Sequence, residues 1–304
     1  MKYIELTDNL KVSKIALGCM RTNVLNVDQL EELILTALEL GINFFDHADI
    51  YGDGQCETLF GEVLKRNPSL RSKIYLQSKV GIIKGHRYDF SKEHILKTVN
   101  AQLKRLNTNY LDFLLLHRPD VLVDYQEVNE AFDELYSQGK VKYFGVSNFN
   151  AFQMELYQSK VKYPLIFNQV QLSITESRLV DEGIYVNQKN DLSLSRSNGI
   201  LEYTQMKNII LQPWSVIMAG AGEGTFIDNP KYLELNKRLE VLANKYQVEK
   251  NAIAIAWLLR FPQPIQPIVG TTSIKHLKEM SKAVDIKLDR EEWYSLYLAN
   301  KLIP

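Results

Sequence analysis

Four side chains in this sequence could act together on a polarised double bond: Asp46, Tyr51, Lys79 and His117. Asp46, Lys79 and His117 each close an apolar run of the kind that forms a β-strand (Asn43-Phe44-Phe45, Lys73-Ile74-Tyr75-Leu76 and Leu111 to Leu116), and Tyr51 follows in the loop after Asp46. Hydride addition to a carbonyl builds negative charge on its oxygen, so a neighbouring group must donate a proton or a hydrogen bond. Tyr51 is the best donor. A free tyrosine has a pKa near ~10, and a lysine ammonium in contact favours the phenolate and eases proton release. Lys79 would fill that role, Asp46 would hold the ammonium by an ion pair, and His117 would add a second hydrogen bond that orients the carbonyl. Taken singly, each has a bland reading: Asp46 as a helix cap, Tyr51 as surface packing, Lys79 as a solvated charge, His117 as a structural histidine. Their places around consecutive strand ends make coincidence the poorer account.

The elements that must position these groups alternate along the chain. Strand-like runs recur at Lys14 to Gly18, Asn43 to Phe45, Lys73 to Leu76, Leu111 to Leu116, Lys142 to Val146, Phe167 to Val170, Ile209 to Leu211 and Pro267 to Val269. Between most of them lie amphipathic helices: one with Leu30, Leu33, Ile34, Ala37 and Leu38, opened by the capping pair Asn26 and Gln29 and stopped at Gly41, one after Ser91, and one after Asp124. Such alternation predicts a parallel sheet, and eight units favour closure into an α/β fold of the (β/α)8 TIM barrel type. An open doubly wound sheet would need a glycine-rich fingerprint after its first strand, and Gly18-Cys19-Met20-Arg21 is not one. An N-terminal β-hairpin around Asp8-Asn9 and an extra C-terminal helix with Trp293, Leu296 and Tyr297 complete a single domain over residues 1–304. From Asp181 to Asn208 the pattern fails: Asp181-Glu182-Gly183 and the polar run from Gln188 to Asn198 predict an irregular loop before a helix around Leu201 to Met206. Glycines 220, 222 and 224 predict a second long loop.

The chain has 304 residues, 45% hydrophobic and 24% charged, enough to bury a large core. Lys+Arg and Asp+Glu both number 36, so no global field favours nucleic acid or a membrane surface. No apolar run has the length of a signal core or a membrane span, which predicts a cytoplasmic protein, and the balanced surface predicts a monomer. Cys19 and Cys56 are too few for a disulfide framework.

The segment Gly41-Ile42-Asn43-Phe44-Phe45-Asp46-His47-Ala48-Asp49-Ile50-Tyr51-Gly52 resembles the signature of the aldo-keto reductases, roughly Gly-x-Asn-x-x-Asp-x-Ala-x-x-Tyr-Gly. Gln77-Ser78-Lys79, Leu114-Leu115-Leu116-His117-Arg118-Pro119-Asp120 and Gly145-Val146-Ser147-Asn148-Phe149 extend the likeness, which runs from Gly18 to about Glu279. The His-Arg-Pro-Asp form is more similar to the bacterial, short-loop branch than to the mammalian aldose reductases. The resemblance implies a catalytic tetrad of Asp46, Tyr51, Lys79 and His117 that reduces an aldehyde or ketone with a nicotinamide cofactor. It also implies cofactor contacts from Met20 and Arg21 after the first strand, from Asp46, and from Ser147, Asn148 and Gln169 on the carboxamide. Trp214 would stack on the nicotinamide, and Ser215, Val216 and Ile217 would wrap the pyrophosphate. Gly270, Thr271, Thr272, Lys275 and His276 would lie at the adenosine 2′-phosphate. The family commonly has arginine where this chain has His276 and an adenine-contacting asparagine where it has Met280. NADP(H) is therefore the expected cofactor, with NAD(H) as the alternative.

Two other readings stand beside this one. His47, Asp49, His86 and His117 could be imagined around a hydrolytic metal, but Lys79 at the same mouth would repel a divalent cation, and no metal is expected. Some members of the resembled family are cofactor-binding regulatory subunits of channels with little turnover. The substrate pocket, drawn from Trp214, Met20, Ile50, Tyr88 and the C-terminal tail, would suit an apolar or aromatic carbonyl compound.

Overall fold

The computed structural model describes residues 1–7, 10–220, 223–299 and 301. Eight strands are paired throughout in parallel: β1 (Ala16–Gly18), β2 (Phe44–Asp46), β3 (Tyr75–Val80), β4 (Leu111–Leu116), β5 (Val141–Ser147), β6 (Leu165–Gln171), β7 (Ile210–Trp214) and β8 (Ile268–Val269). Their spatial order is β7-β6-β5-β4-β3-β2-β1-β8. Closure comes just before β8, where Leu211 bridges Ile265 and the Gln266 N–H donates to the Leu211 carbonyl at 2.9 Å. The result is a (β/α)8 barrel whose strand limits lie within four residues of the runs read from the sequence.

Helices cover the outside: α1 (Val27–Glu39), α2 (Gln55–Arg66), α3 (Lys92–Arg105), α4 (Tyr125–Ser137), α5 (Ala151–Lys160), α6 (Arg178–Ile184), α7 (Ile200–Lys207), α8 (Leu233–Tyr246), α9 (Lys250–Leu259) and α10 (Ile274–Ser281). The expected caps are in place. Asn26 and Gln29 form a reciprocal capping box, and Ser91 and Asp124 accept from the first-turn N–H groups of α3 and α4. The extra C-terminal helix is α11 (Arg290–Tyr297), where Trp293 stacks on Trp257 of α9 with ring centroids 4.8 Å apart.

The strands Tyr3–Thr7 and Leu10–Ser13 pair antiparallel as the N-terminal hairpin; its expected turn at Asp8-Asn9 lies outside the described residues, as does Gly222. Ile4, Leu10 and Val12 from this hairpin pack with Ala16, Phe44, Phe113, Leu115, Phe167, Ile210 and Ile268, so the hairpin plugs one end of the barrel. Phe44, Phe113 and Phe167 form a three-ring cluster with centroids 5.0 to 5.6 Å apart. Because inward positions alternate along a strand, the residues two places further on point into the same interior one layer closer to the mouth. Those residues are Asp46, Leu115, Gln169 and Gln212, and the layer above them carries Lys79, His117 and Trp214.

The sequence expectation of an irregular stretch at Asp181-Glu182-Gly183 is corrected: these residues lie inside α6. Helical periodicity is weak there because two adjacent carboxylates serve as tethers. Asp181 accepts from the Tyr297 hydroxyl and the Lys301 ammonium, each at 2.6 Å. Glu182 accepts from the N–H groups of Arg196, Ser197 and Gly199 at 3.0 to 3.2 Å and from the hydroxyls of Ser195 and Ser197. That carboxylate organises the polar loop ahead of α7, whose position matches the expected helix.

Candidate active site

Three strand ends and one loop bring the four expected residues together. Lys79 is fully buried, and its ammonium donates to Asp46 Oδ1 at 2.8 Å, Asp46 Oδ2 at 2.9 Å, the His47 carbonyl at 2.8 Å and the Tyr51 hydroxyl at 2.9 Å. Tyr51 meets His117 edge-on, with ring centroids 6.3 Å apart. The chain leaves Tyr51 through three successive left-handed residues, Gly52 (φ 55°), Asp53 (φ 52°) and Gly54 (φ 87°), which turn it sharply into α2. Two of the three are glycines because a Cβ is penalised in that region, and Asp53 is an enriched exception.

Burial sets the ionisation of this cluster. It pushes Tyr51 up to about 12, against the pull of the Lys79 ammonium in the opposite direction. Lys79 lowers the cost of the phenolate, but desolvation outweighs it, so the phenol lies above a free tyrosine. Burial also works to lower Lys79, but Asp46 and Tyr51 more than offset it and hold the ammonium above its ordinary range. His117 is driven down to about 2 by burial and by the charges of Lys79 and Arg118, so its imidazole is neutral. His47, buried with neither ring nitrogen partnered among the described residues, is held at about 3 by burial and Lys79.

Behind the cluster, Glu57 accepts from the Ser78 hydroxyl at 2.7 Å and from Arg105 Nε at 2.8 Å, and Gln102 donates to the Lys79 carbonyl at 2.7 Å. These contacts fix the backbone of β3 on either side of Lys79.

The residues expected at a cofactor surround the same mouth. The Ser147 hydroxyl donates to the Gln169 carbonyl at 3.0 Å, and Asn148 Nδ2 donates to Ser147 Oγ at 2.9 Å and to the His117 carbonyl at 3.3 Å. Gln169 turns its amide inward, donating to Asp46 Oδ1 at 3.0 Å. Trp214 ends β7 half-buried, followed by Ser215, buried Val216 and Ile217. Asn148 (φ 62°) and Ser215 (φ 56°) are left-handed non-glycine residues, as Asp53 is, so three loops at one end of the barrel carry local backbone strain. Arg21 Nη2 donates to the Gly270 carbonyl at 2.8 Å, joining the loop after β1, where Met20 is exposed, to the end of β8. Thr271 is buried, Thr272 is half-buried, and Ser273 caps α10, leaving Lys275 and His276 exposed in its first turn. Met280 lies in the hydrophobic core.

A cavity of about 400 Å³ beside this site is lined by Arg118, Asn148, Gln153, Arg178, Arg196 and Ser197 among others. None of Met20, Ile50, Tyr88 or Trp214 lines it; its polar groups alternate with Pro119, Val170, Leu179 and Ile200. Among the described residues no group of three or more His, Cys, Asp or Glu side chains could hold a metal ion, and no helix is long and apolar enough to cross a membrane.

Sequence reasoning missed Gln77, Gln212 and Gln266, all fully buried in the barrel, of which Gln77 touches Asp46 and the other two follow behind it. For Gln77 and Gln212 the signal was available: on strands whose inward positions should be apolar, a glutamine two residues before a residue of the expected site asks for a partner.

The aldo/keto reductase family model matches residues 14–300. The chain is 35% identical to "Uncharacterized oxidoreductase YcsN" of Bacillus subtilis, over 98% of both chains. It is 32% identical to a 6-dehydroglucose reductase of Agrobacterium fabrum, over 98% of this chain and 97% of that one. The crystal structure of the thermostable aldo-keto reductase Tm1743 in complex with the inhibitor epalrestat superposes with a TM-score of 0.79 at 26% identity, covering 99% of this chain and 100% of that one. With the barrel, the converging polar groups and these likenesses together, the chain belongs to the aldo/keto reductase family and is a carbonyl-reducing oxidoreductase.

Proposed function

We propose that this protein reduces an aldehyde or ketone to an alcohol with NADP(H), Tyr51 acting as the general acid. The observation that carries this reading is the buried cluster in which the Lys79 ammonium touches Asp46 and the Tyr51 hydroxyl at 2.8 to 2.9 Å. A reduced nicotinamide supplies hydride when bound. Tyr51, protonated across the physiological range, gives its phenolic proton to the carbonyl oxygen as charge builds there. Lys79 stabilises the phenolate left behind, and Asp46 keeps the ammonium in place. Neutral His117 has one N–H to offer the carbonyl oxygen and so orients it without adding charge.

The residues around the mouth fit a dinucleotide. Ser147, Asn148, Gln169 and Trp214 border the tetrad, where they would hold and stack the nicotinamide; Ser215, Val216 and Ile217 would hold the pyrophosphate. Exposed Lys275 and His276 at the start of α10, with Gly270, Thr271 and Thr272 just before it, offer cation and hydroxyl groups to a 2′-phosphate, which favours NADP(H) over NAD(H). Met280 is core, so it offers no polar contact to adenine. The name of the Agrobacterium relative points to a sugar-derived carbonyl, and Arg118, Asn148, Arg178 and Arg196 in the neighbouring cavity offer hydrogen bonds to the hydroxyls of such a substrate.

The test is loss of reduced-cofactor absorbance with a panel of aldehydes, ketones and oxidised sugars, run with NADPH and NADH for the native protein and Tyr51→Phe. Turnover with NADPH that Tyr51→Phe reduces at least a hundredfold while still binding cofactor is the expected result. Undiminished turnover in that variant would overturn the role of Tyr51, and equal use of NADH would overturn the cofactor preference.

A further inference from the structure

The interior of the barrel holds a connected chain of four side-chain amides, fully buried or nearly so, that ends on Asp46. Gln266 Nε2 donates to the Ser13 carbonyl of the N-terminal hairpin at 2.7 Å. Gln212 Nε2 donates to Gln266 Oε1 at 2.8 Å, and Gln77 Nε2 donates to Gln212 Oε1 at 2.8 Å. Gln77 Nε2 also donates to Asp46 Oδ1 at 2.6 Å, and Gln169 Nε2 reaches both Asp46 Oδ1 at 3.0 Å and Gln212 Oε1 at 3.3 Å.

The direction of this chain is fixed at its far end. A backbone carbonyl can only accept, so Gln266 must turn its NH2 group to Ser13 and its oxygen to Gln212. Gln212 must then present NH2 to Gln266 and oxygen to Gln77, which leaves Gln77 with NH2 facing both Gln212 and Asp46. Both amide protons of Gln77 are used, and its oxygen is buried without a partner among the described residues. An unpartnered buried oxygen destabilises the fold, so this orientation is held against a cost. The opposite orientation would satisfy that oxygen no better and would aim it at a carboxylate. Asp46 Oδ1 thus receives Gln77, Gln169 and Lys79, while among the described residues Oδ2 has only Lys79.

We propose that Gln77, oriented through Gln212 and Gln266 by the Ser13 carbonyl, is a positioning residue that holds Asp46 in the rotamer which keeps the Lys79 ammonium against Tyr51. A buried carboxylate pinned on one oxygen by two amides cannot swing away as the tyrosine gives up its proton. The hairpin at the closed end of the barrel thereby sets the geometry at the open end. This inference rests on Tyr51 being the proton donor.

Gln77→Leu removes the donor with similar volume, and Gln212→Leu leaves Gln77 in place but frees its amide to rotate. Gln77→Leu is expected to lower kcat tenfold or more with KM and cofactor Kd within twofold of native; Gln212→Leu should move kcat the same way by a smaller factor. In the cofactor-free protein, the 13Cε resonance of Lys79, assigned by its loss in Lys79→Arg, should titrate at lower pH in both variants, a shift that a purely structural role would not produce. Should Gln77→Leu fail to fold, Gln212→Leu and Gln266→Leu carry the test by the same two readouts. Native kcat and an unmoved Lys79 titration in the folded variants, beside an inactive Tyr51→Phe, would overturn the proposal. Retained turnover in Tyr51→Phe would instead overturn the reading on which it rests.

Discussion

The Lys79 ammonium lies 2.9 Å from the Tyr51 hydroxyl inside the protein, and among the described residues the only carboxylate it touches is Asp46. Three groups that would each be solvated on a surface are here mutually dependent, because any one removed leaves a charge or a dipole without compensation.

Lys79→Met should therefore destabilise the fold as well as abolish turnover. It strands the Asp46 carboxylate, which is 2% exposed, and removal of one partner from a buried pair costs about 3–5 kcal/mol. The double variant Asp46→Leu/Lys79→Met should recover much of that loss while staying inactive. Urea unfolding of the native protein, Lys79→Met, Asp46→Leu and the double variant measures both effects; strict additivity of the single changes would contradict the coupling.

Proton inventory gives a pH signature. With Tyr51 at about 12, the acid form persists through the neutral range, so the carbonyl-reducing rate should be flat between about pH 6 and 9. The alcohol-oxidising direction needs the phenolate, and its rate should climb roughly tenfold per pH unit over the same interval. A reduction rate that fell through neutrality would assign the proton to another group.

His47 and His117 are held at about 3 and about 2, while the unfolded chain protonates histidine near ~6.5. Below that pH the unfolded state binds more protons than the folded one, so the stability these groups contribute is present above about pH 6.5 and is lost as pH falls toward 3. His47→Phe, packing on Phe60 as the imidazole does, should flatten the acid side of a plot of Tm against pH and leave the neutral value within a few degrees. An unchanged acid slope would show that His47 is not a source of it.

Asp181 and Glu182 make separable ties. Asp181→Asn should loosen the segment after α11 by weakening its bond to Lys301, seen as faster amide exchange and proteolysis there. Glu182→Gln should instead release residues 195–199, and the polar cavity wall formed by Arg196 and Ser197 with them. Each variant should leave the other segment protected.

Legibility in the sequence followed physical locality. The eight strands and most helices could be read because their periodicity and caps are properties of neighbouring residues, as at Asn26 and Gln29. The four candidate residues stood out because Asp46, Lys79 and His117 each end an apolar run where a strand meets its loop, and Tyr51 follows in the first of those loops. Helix α6 could not, since Asp181 and Glu182 answer to Lys301 and to the loop before α7, partners far along the chain or without pattern.

By itself, then, the sequence determined the alternation of strands and helices, the closure of eight units into a barrel, and which polar residues stand at its mouth. Only the tertiary structure decided how acidic Tyr51 is, because that balances desolvation against the Lys79 charge, and both depend on what surrounds them in space. It alone also joined Ser13, Gln266, Gln212, Gln77 and Asp46, whose hydrogen bonds span up to 253 positions of chain and have no trace in local spacing.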